Sequence, residues 1–182
     1  MSWSRVLAAL AVYASAASAS AQMPNVGDMA PDFTTSGATK DGVTSKPVTL
    51  SSLRGQTVVL AFFPRSRTSG CTHQMTAYRD RYSQLFHDGK QITLIAISTD
   101  ADTTQADWAR EANFPFLFAS DYSGKIGDAY HVHDADHGID SRVLFVIGPD
   151  GKITYRAAPF RELVETSYSD LGSAIDQTGH SR

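Results

Sequence analysis

The residue with the clearest chemical potential in this sequence is its single cysteine. Cys71 carries the only thiol among 182 residues, so no disulfide within the chain can form. It follows a polar loop (65–70) and opens a stretch in which apolar residues recur at helical spacing. A helix N-terminus offers N–H groups and about half a positive charge, and both favour a thiolate over a thiol. Because the thiolate is the nucleophilic form of cysteine, this position predicts a reactive sulfur.

The alternative is an inert cysteine that fills space in the core, as free cysteines often do. Such a residue would fit better inside the apolar run from Val58 to Phe63, and Cys71 lies outside it. Arg65 and Arg67 in the preceding loop add positive potential nearby. The strand–loop–helix order also places Cys71 at the carboxyl end of a strand, where open α/β sheets build their sites.

The surrounding elements predict a mixed α/β sheet with helices on both faces. Apolar runs indicate four strands, and helical spacing indicates helices between them and at the end of the chain. A strand–helix–strand order implies a right-handed parallel crossover, and the turn at 148–151 sends the chain back antiparallel. The predicted strands are Thr57–Phe63, Gln91–Ser98, Phe116–Phe118 and Arg142–Ile147, and the predicted helices follow Cys71, cover Thr103–Asn113 and Ser123–Tyr130, and run from Phe160 to Ile175.

The first 21 residues have the layout of a cleaved secretory signal peptide. Arg5 precedes the apolar run Val6–Tyr13, and Ala19–Ala21 forms an A-x-A site. The apolar run is too short for a membrane span, which takes about 20 residues. An unstructured tail or an uncleaved anchor are the alternatives. The layout predicts a secreted, periplasmic protein whose single domain occupies 22–182.

Composition excludes several classes of function. The net charge is −3 and the basic residues are scattered, so neither a nucleic-acid footprint nor an anionic-membrane patch is expected. No Gly-rich phosphate loop or dinucleotide fingerprint occurs in the sequence, so we expect no nicotinamide, flavin or other cofactor.

Four blocks of the sequence resemble the peroxiredoxins of the alkyl hydroperoxide reductase and thiol-specific antioxidant superfamily. Pro64–Cys71 reads P-x-x-x-T-x-x-C, and the motif Thr-x-Gly-Cys-Thr is most similar to that of the bacterioferritin comigratory protein branch. The other blocks are Gly27–Phe33 (GDMAPDF), Leu50–Gly55 (LSSLRG), and Ser141–Ile147 followed by Pro149–Gly151. The resemblance implies a thioredoxin-like fold and reduction of hydrogen peroxide or organic hydroperoxides.

The resemblance also implies a role for each matching residue. Cys71 attacks the peroxide and becomes a sulfenic acid, the first step of cysteine oxidation. Thr68 orients sulfur and peroxide, Arg142 keeps the sulfur ionised and stabilises the departing oxygen, and Pro64 shields the sulfur from water. Gln74 supports the site. Taken singly, Thr68 suits a helix N-cap, Pro64 a strand end and Arg142 a surface position.

The sequence departs from many relatives in having no resolving cysteine. Thr76 stands at the fifth position after Cys71, where many relatives carry a second thiol. This resembles the one-cysteine mechanism, in which an external thiol reduces the sulfenic acid. The reductant could be a thioredoxin-like protein, glutathione or another thiol, and the protein could be a monomer or a homodimer.

A histidine-rich segment gives weak candidates for a metal site. His131, His133 and His137 lie close in sequence to Asp134 and Asp136, and imidazole is a common ligand of transition metals. Short histidine tracts are often solvated surface, so we expect no bound metal.

Three other functions compete with the peroxidase. A thiol–disulfide oxidoreductase would need C-x-x-C, which the sequence lacks. A copper-delivery protein of the same fold would show two cysteines beside a distal histidine. A redox-sensing or thiol-binding module that uses Cys71 without turnover remains as the alternative.

Overall fold

A computed structural model describes residues 22–179, and the predicted signal peptide lies outside the described residues. The strands are β1 Thr34–Thr35, β2 Gly37–Thr39, β3 Gly42–Val43, β4 Val48–Thr49, β5 Thr57–Phe62, β6 Ile92–Ser98, β7 Leu117–Ser120, β8 His133–Asp134, β9 Ile139–Asp140, β10 Leu144–Ile147 and β11 Ile153–Ala157. The α-helices are α1 Ser69–Asp80, α2 Tyr82–Phe86, α3 Asp102–Glu111, α4 Lys125–Ala129 and α5 Glu165–Gly179. Within this part of the chain, no helix is long and apolar enough to cross a membrane.

Seven of the strands form one mixed sheet in the order β11-β10-β5-β6-β7-β2-β3. The three central strands β5, β6 and β7 are parallel, and β10 and β2 flank them antiparallel. The connection from β5 to β6 contains α1, and the connection from β6 to β7 contains α3. These are the parallel strand–helix–strand connections that the sequence predicts. The mixed sheet is therefore confirmed.

Strand β5 divides the core into two layers. All six of its residues are buried, as expected of a strand covered on both faces. Val59 and Ala61 face one cluster, and Val58, Leu60 and Phe62 face the other. The first cluster holds the apolar faces of α1, α2, α3 and α5, and the second is closed by α4 and the N-terminal segment. Packing on both faces therefore buries β5 completely, up to the end that precedes Cys71.

Two predicted helices have different bounds in the structure. The helix that follows Cys71 breaks at Arg81, whose backbone angles (φ −112°, ψ 18°) are not helical, and α2 begins after it. The prediction that the last helix begins near Phe160 is wrong, because α5 starts at Glu165. Phe160 is buried while Leu163 is 73% exposed, so the apolar spacing before Glu165 does not belong to one helix face.

Candidate active site

Cys71 lies in the first turn of α1, just beyond the carboxyl end of β5. Thr68 is the N-cap of α1, so Cys71 is the third residue of the helix. Its side chain has no exposed surface and touches the apolar cluster on that face of the sheet. The predicted position at a helix N-terminus is found, and the sulfur is shielded from solvent rather than open to it.

Arg142 reaches the sulfur because of the register between β5 and β10. Leu144 pairs with Ala61 across the antiparallel ladder, and Phe62 N–H donates to the Val143 carbonyl at 2.9 Å. Since β10 runs opposite to β5, the residues before β10 lie beside the end of β5. Cys71 and Arg142, which are 71 residues apart in sequence, are thereby brought to one edge of the sheet.

Each of the three guanidinium nitrogens of Arg142 has its own partner. Nη2 lies 3.4 Å from Cys71 Sγ, Nη1 donates to the side-chain oxygen of Gln74, and Nε lies 3.2 Å from a carboxylate oxygen of Glu162. The Arg142 side chain is only 14% exposed. A fixed positive fork of this kind stabilises negative charge on sulfur and on an oxygen that leaves it.

A hydrogen-bonded chain continues from Arg142 into the core. The Gln74 amide donates to the Tyr78 hydroxyl at 2.8 Å, one helical turn further along α1. Tyr78 is fully buried, and burial raises the pKa of its phenol far above the ordinary value, so it stays neutral. Gln74 therefore sits between a charged donor and a neutral hydroxyl, and both ends of its amide are used.

We expect Gln74→Leu to slow the oxidation of Cys71 by peroxide about tenfold, because the Nη1 of Arg142 loses its acceptor, and a bond to a charged group is worth about 1.5–3 kcal/mol. Tyr78→Phe serves as the comparison, since it leaves the contact between Gln74 and Arg142 in place and should change the rate less. Stopped-flow measurement of both rates checks this. Equal rates for wild type and Gln74→Leu would contradict it.

Thr68 and Pro64 lie in the segment between β5 and Cys71, and neither makes a hydrogen bond to the sulfur. The Thr68 hydroxyl donates to the Arg65 carbonyl at 3.0 Å and makes no capping bond to the helix. Pro64 is half-buried between β5 and the loop. Arg67 turns away to pair with Glu111 at 2.9 Å, so it adds little potential at the sulfur. The roles of Thr68 and Pro64 stay predictions.

The three histidines do not converge on one point. His133 and His137 each pair with a different aspartate, Asp140 at 3.0 Å and Asp134 at 2.8 Å, while His131 is exposed. Among residues 22–179, no group of three or more His, Cys, Asp or Glu side chains could hold a metal. The predicted loop contains a short hairpin instead, formed by β8 and β9.

Sequence reasoning missed two acidic residues near Arg142. Glu162 contacts the guanidinium but lies outside every motif that the sequence displays. Asp140 lies two residues before Arg142 and is fully buried; burial raises its pKa to about 7, the hydrogen bond from His133 opposes this, and the charge of Asp121 adds to it. Its Oδ2 is buried and has no hydrogen-bond partner among the described residues. In the sequence, the only feature that could have pointed to Asp140 as a residue of interest is its closeness to Arg142.

Comparison with known proteins places this arrangement in a family. The fold and the site define a thioredoxin-like α/β protein whose sulfur lies at a helix N-terminus beside an arginine. The AhpC/TSA family model matches residues 26–156, and the chain belongs to this family, the peroxiredoxins. It is therefore a thiol-dependent peroxidase, and the comparisons do not favour the sensing module without turnover.

Individual relatives agree with the assignment. Alkyl hydroperoxide reductase E of Mycobacterium tuberculosis is 33% identical over 136 residues, which cover 73% of this chain and 84% of that protein. Chloroplastic peroxiredoxin Q of Triticum aestivum is 32% identical over 130 residues, 71% of this chain and 57% of that protein. The structure of peroxidoxin BcpB from Mycobacterium tuberculosis superposes with a TM-score of 0.71 at 24% identity, covering 86% of this chain and 98% of that chain. This last likeness confirms the predicted thioredoxin-like fold.

Proposed function

We propose that the protein reduces hydroperoxides by a one-cysteine mechanism centred on Cys71. The thiolate attacks one peroxide oxygen, an S–O bond forms, the O–O bond breaks, and the leaving oxygen takes a proton to become water or an alcohol. The observation that carries this proposal is the 3.4 Å distance between Arg142 Nη2 and Cys71 Sγ. A positive donor at that distance can stabilise charge on the sulfur and on the oxygen that departs.

The second half of the cycle needs a thiol from outside the chain. Cys71 is the only cysteine of the sequence, so the sulfenic acid has no partner within the chain. An external thiol condenses with it to give a mixed disulfide and water, and a second thiol releases Cys71 and leaves as a disulfide. A thioredoxin-like protein or glutathione fits this step, acting on a monomer or a homodimer.

Burial of Cys71 makes both steps dependent on local movement. A side chain with no exposed surface reacts only when its neighbours move enough to admit the reagent. A hydroperoxide needs a small opening, and a protein thiol needs a larger one. We propose that the first turn of α1 and the loop before it open more widely for the reductant than for the peroxide.

We propose that the protein works outside the cytoplasm, in the periplasm. The support is the basic, apolar and A-x-A layout of residues 1–21. Mass spectrometry of the protein expressed in a Gram-negative host, after separation of the periplasm, reads the N-terminus directly. A mature N-terminus at Gln22 is expected, and cytoplasmic protein retaining residues 1–21 would contradict export.

The proposed reaction is tested by following the mass of the reduced protein after mixing with hydrogen peroxide. We expect rapid gain of one oxygen on Cys71, then a mixed disulfide when a small thiol is added. Cys71→Ser should show neither product, because no other thiol is present. Oxidation of wild type no faster than that of a free small thiol would overturn the proposal, and so would equal oxygen uptake by Cys71→Ser.

A further inference from the structure

The segment between β11 and α5 brings a carboxylate into the active site. Glu162 lies 3.2 Å from Arg142 Nε, and its side chain is 21% exposed. Two hydrogen bonds to backbone carbonyls hold this segment in place: Phe160 N–H donates to the Arg142 carbonyl at 2.9 Å, and the Tyr168 hydroxyl donates to the Glu162 carbonyl at 2.7 Å. Glu162 is therefore tied at one side to the strand that carries Arg142 and at the other to α5.

The Glu162 carboxylate also lies against the first turn of α1. A Cβ placed on Gly70 would come 2.6 Å from Glu162 Oε1 and 3.1 Å from Arg142 Nη2. The two charged groups thus occupy the space beside the residue that directly precedes Cys71. Glycine at position 70 leaves room for both of them, and a larger residue would push at least one away.

Without Glu162, the remaining contacts of Arg142 would not fix the orientation of its guanidinium. An arginine side chain has several rotatable bonds, and among residues 22–179 the other partners of the Arg142 guanidinium are the neutral Gln74 amide and the sulfur itself. Glu162 adds a charged partner, because its carboxylate forms an ion pair with the guanidinium in which Oε2 and Nε lie 3.2 Å apart. Opposite charges this close attract strongly where water is largely excluded. Holding Nε from one side directs Nη1 and Nη2 toward Gln74 and Cys71.

The negative charge of Glu162 shows that this residue does not serve to stabilise the thiolate of Cys71. A carboxylate near a thiolate repels it, so Glu162 weakens the positive potential that Arg142 creates at the sulfur. A residue that only stabilised the thiolate would not be acidic. Orientation of the guanidinium is the benefit that remains, and misplacement of a reacting group by about 1 Å can cost 10²-fold in rate.

We propose that Glu162 is a positioning residue of the peroxidase, which holds Arg142 with one N–H donor aimed at Cys71 and at the peroxide oxygen. This inference rests on the proposed function and adds a residue to it. Glu162 does not touch the substrate in this role, and its effect passes entirely through Arg142. Two kinds of reaction at the same sulfur can therefore separate orientation from loss of folding.

The experiment measures two rate constants for reduced Cys71, one with hydrogen peroxide and one with iodoacetamide. Peroxide cleavage needs the oriented guanidinium, whereas alkylation needs only an ionised and accessible sulfur. We expect Glu162→Ala to slow the peroxide reaction at least about tenfold and to leave alkylation as fast as in wild type or faster. Glu162→Gln keeps the shape and an oxygen acceptor, so its loss should be smaller, and it keeps the test valid if Glu162→Ala does not fold.

Matched controls make the outcome decisive. Glu165→Ala removes another glutamate that pairs with an arginine, Arg81, at 2.7 Å and 2.8 Å, and it should leave both rates unchanged. In an Arg142→Ala background, Glu162→Ala should cause no further loss. The inference is overturned if wild type is fast and Arg142→Ala is slow while Glu162→Ala stays within about twofold of wild type, or if Glu162→Ala slows alkylation equally. Slow oxidation of wild type would instead overturn the proposed function.

Discussion

Arg142→Ala is expected to slow the oxidation of Cys71 by about 10²- to 10³-fold, the loss typical when one preorganised donor to a developing oxyanion is removed. The guanidinium lies 3.4 Å from the sulfur and is largely withdrawn from water, where its charge acts most strongly. Stopped-flow fluorescence or quenched mass spectrometry gives the second-order rate constant with hydrogen peroxide. Because the arginine acts on the leaving oxygen, the loss should persist at a pH where the thiol is fully ionised.

One further variant separates the charge of Arg142 from its geometry, and a second serves as a control. Arg142→Lys keeps one positive charge, but a single ammonium cannot serve the three partners of the planar fork, so an intermediate rate is expected. Arg81→Ala is the matched control, since Arg81 is also held by a glutamate but contacts the ring of Tyr168 rather than the sulfur. A rate for Arg142→Ala within about threefold of wild type would remove the arginine from the mechanism.

The sequence was sufficient to predict the parallel strands of the sheet and the Cys71–Arg142 pair at the end of β5. A nearly continuous apolar run such as Thr57–Phe63 is characteristic of a strand buried on both faces, and the structure has β5 at Thr57–Phe62. Cys71 and Arg142 were found because each belongs to a motif with a fixed relation to a strand end. The antiparallel pairing of β5 and β10, which the order of elements does not by itself predict, then brings them together.

Other parts of the site depend on tertiary contacts that leave no pattern in the sequence. Glu162 follows Phe160 in an irregular segment, where apolar residues fall at helical spacing although no helix forms. Its place is fixed by two hydrogen bonds, one from Phe160 N–H to the Arg142 carbonyl of another element and one from the Tyr168 hydroxyl in α5 to the Glu162 carbonyl. Likewise, the burial of Asp140 follows from the way the β8–β9 hairpin packs on α4, which periodicity cannot show for strands of two residues.

The edge of the sheet that carries the sulfur also carries the residues that order its arginine. Arg142 lies two residues before Leu144, the first residue of β10, and receives contacts from α1 through Gln74 and from the segment before α5 through Glu162. Three separate parts of the chain must therefore be folded before Nη2 can face Cys71. Such a site is preorganised by the fold as a whole, which is the condition for a donor to stabilise charge without reorganising during the reaction.

The second large effect is expected on stability rather than on rate, at Asp140. Burial raises the pKa of this carboxyl to about 7 in the folded protein, against about 4 for an exposed aspartate. The hydrogen bond from His133 opposes this shift, and the nearby charges of Asp121 and Asp128 add to it. The folded state therefore binds a proton that the unfolded state has released between these values. Its contribution to stability is complete below pH ~4 and is lost as the pH rises to ~7.

Asp140→Asn should remove this dependence, because asparagine is a neutral mimic of the protonated acid and can still accept from His133. Relative to wild type, the variant should gain roughly 3 kcal/mol of unfolding free energy between pH 4 and 7. Urea unfolding at several pH values measures the difference. Asp134→Asn is the control on the same hairpin: Asp134 is partly exposed, and the hydrogen bond that its carboxylate accepts from His137 lowers its pKa, so its contribution changes only below this window. A difference between wild type and Asp140→Asn that stays constant across the window would show that Asp140 is ionised throughout.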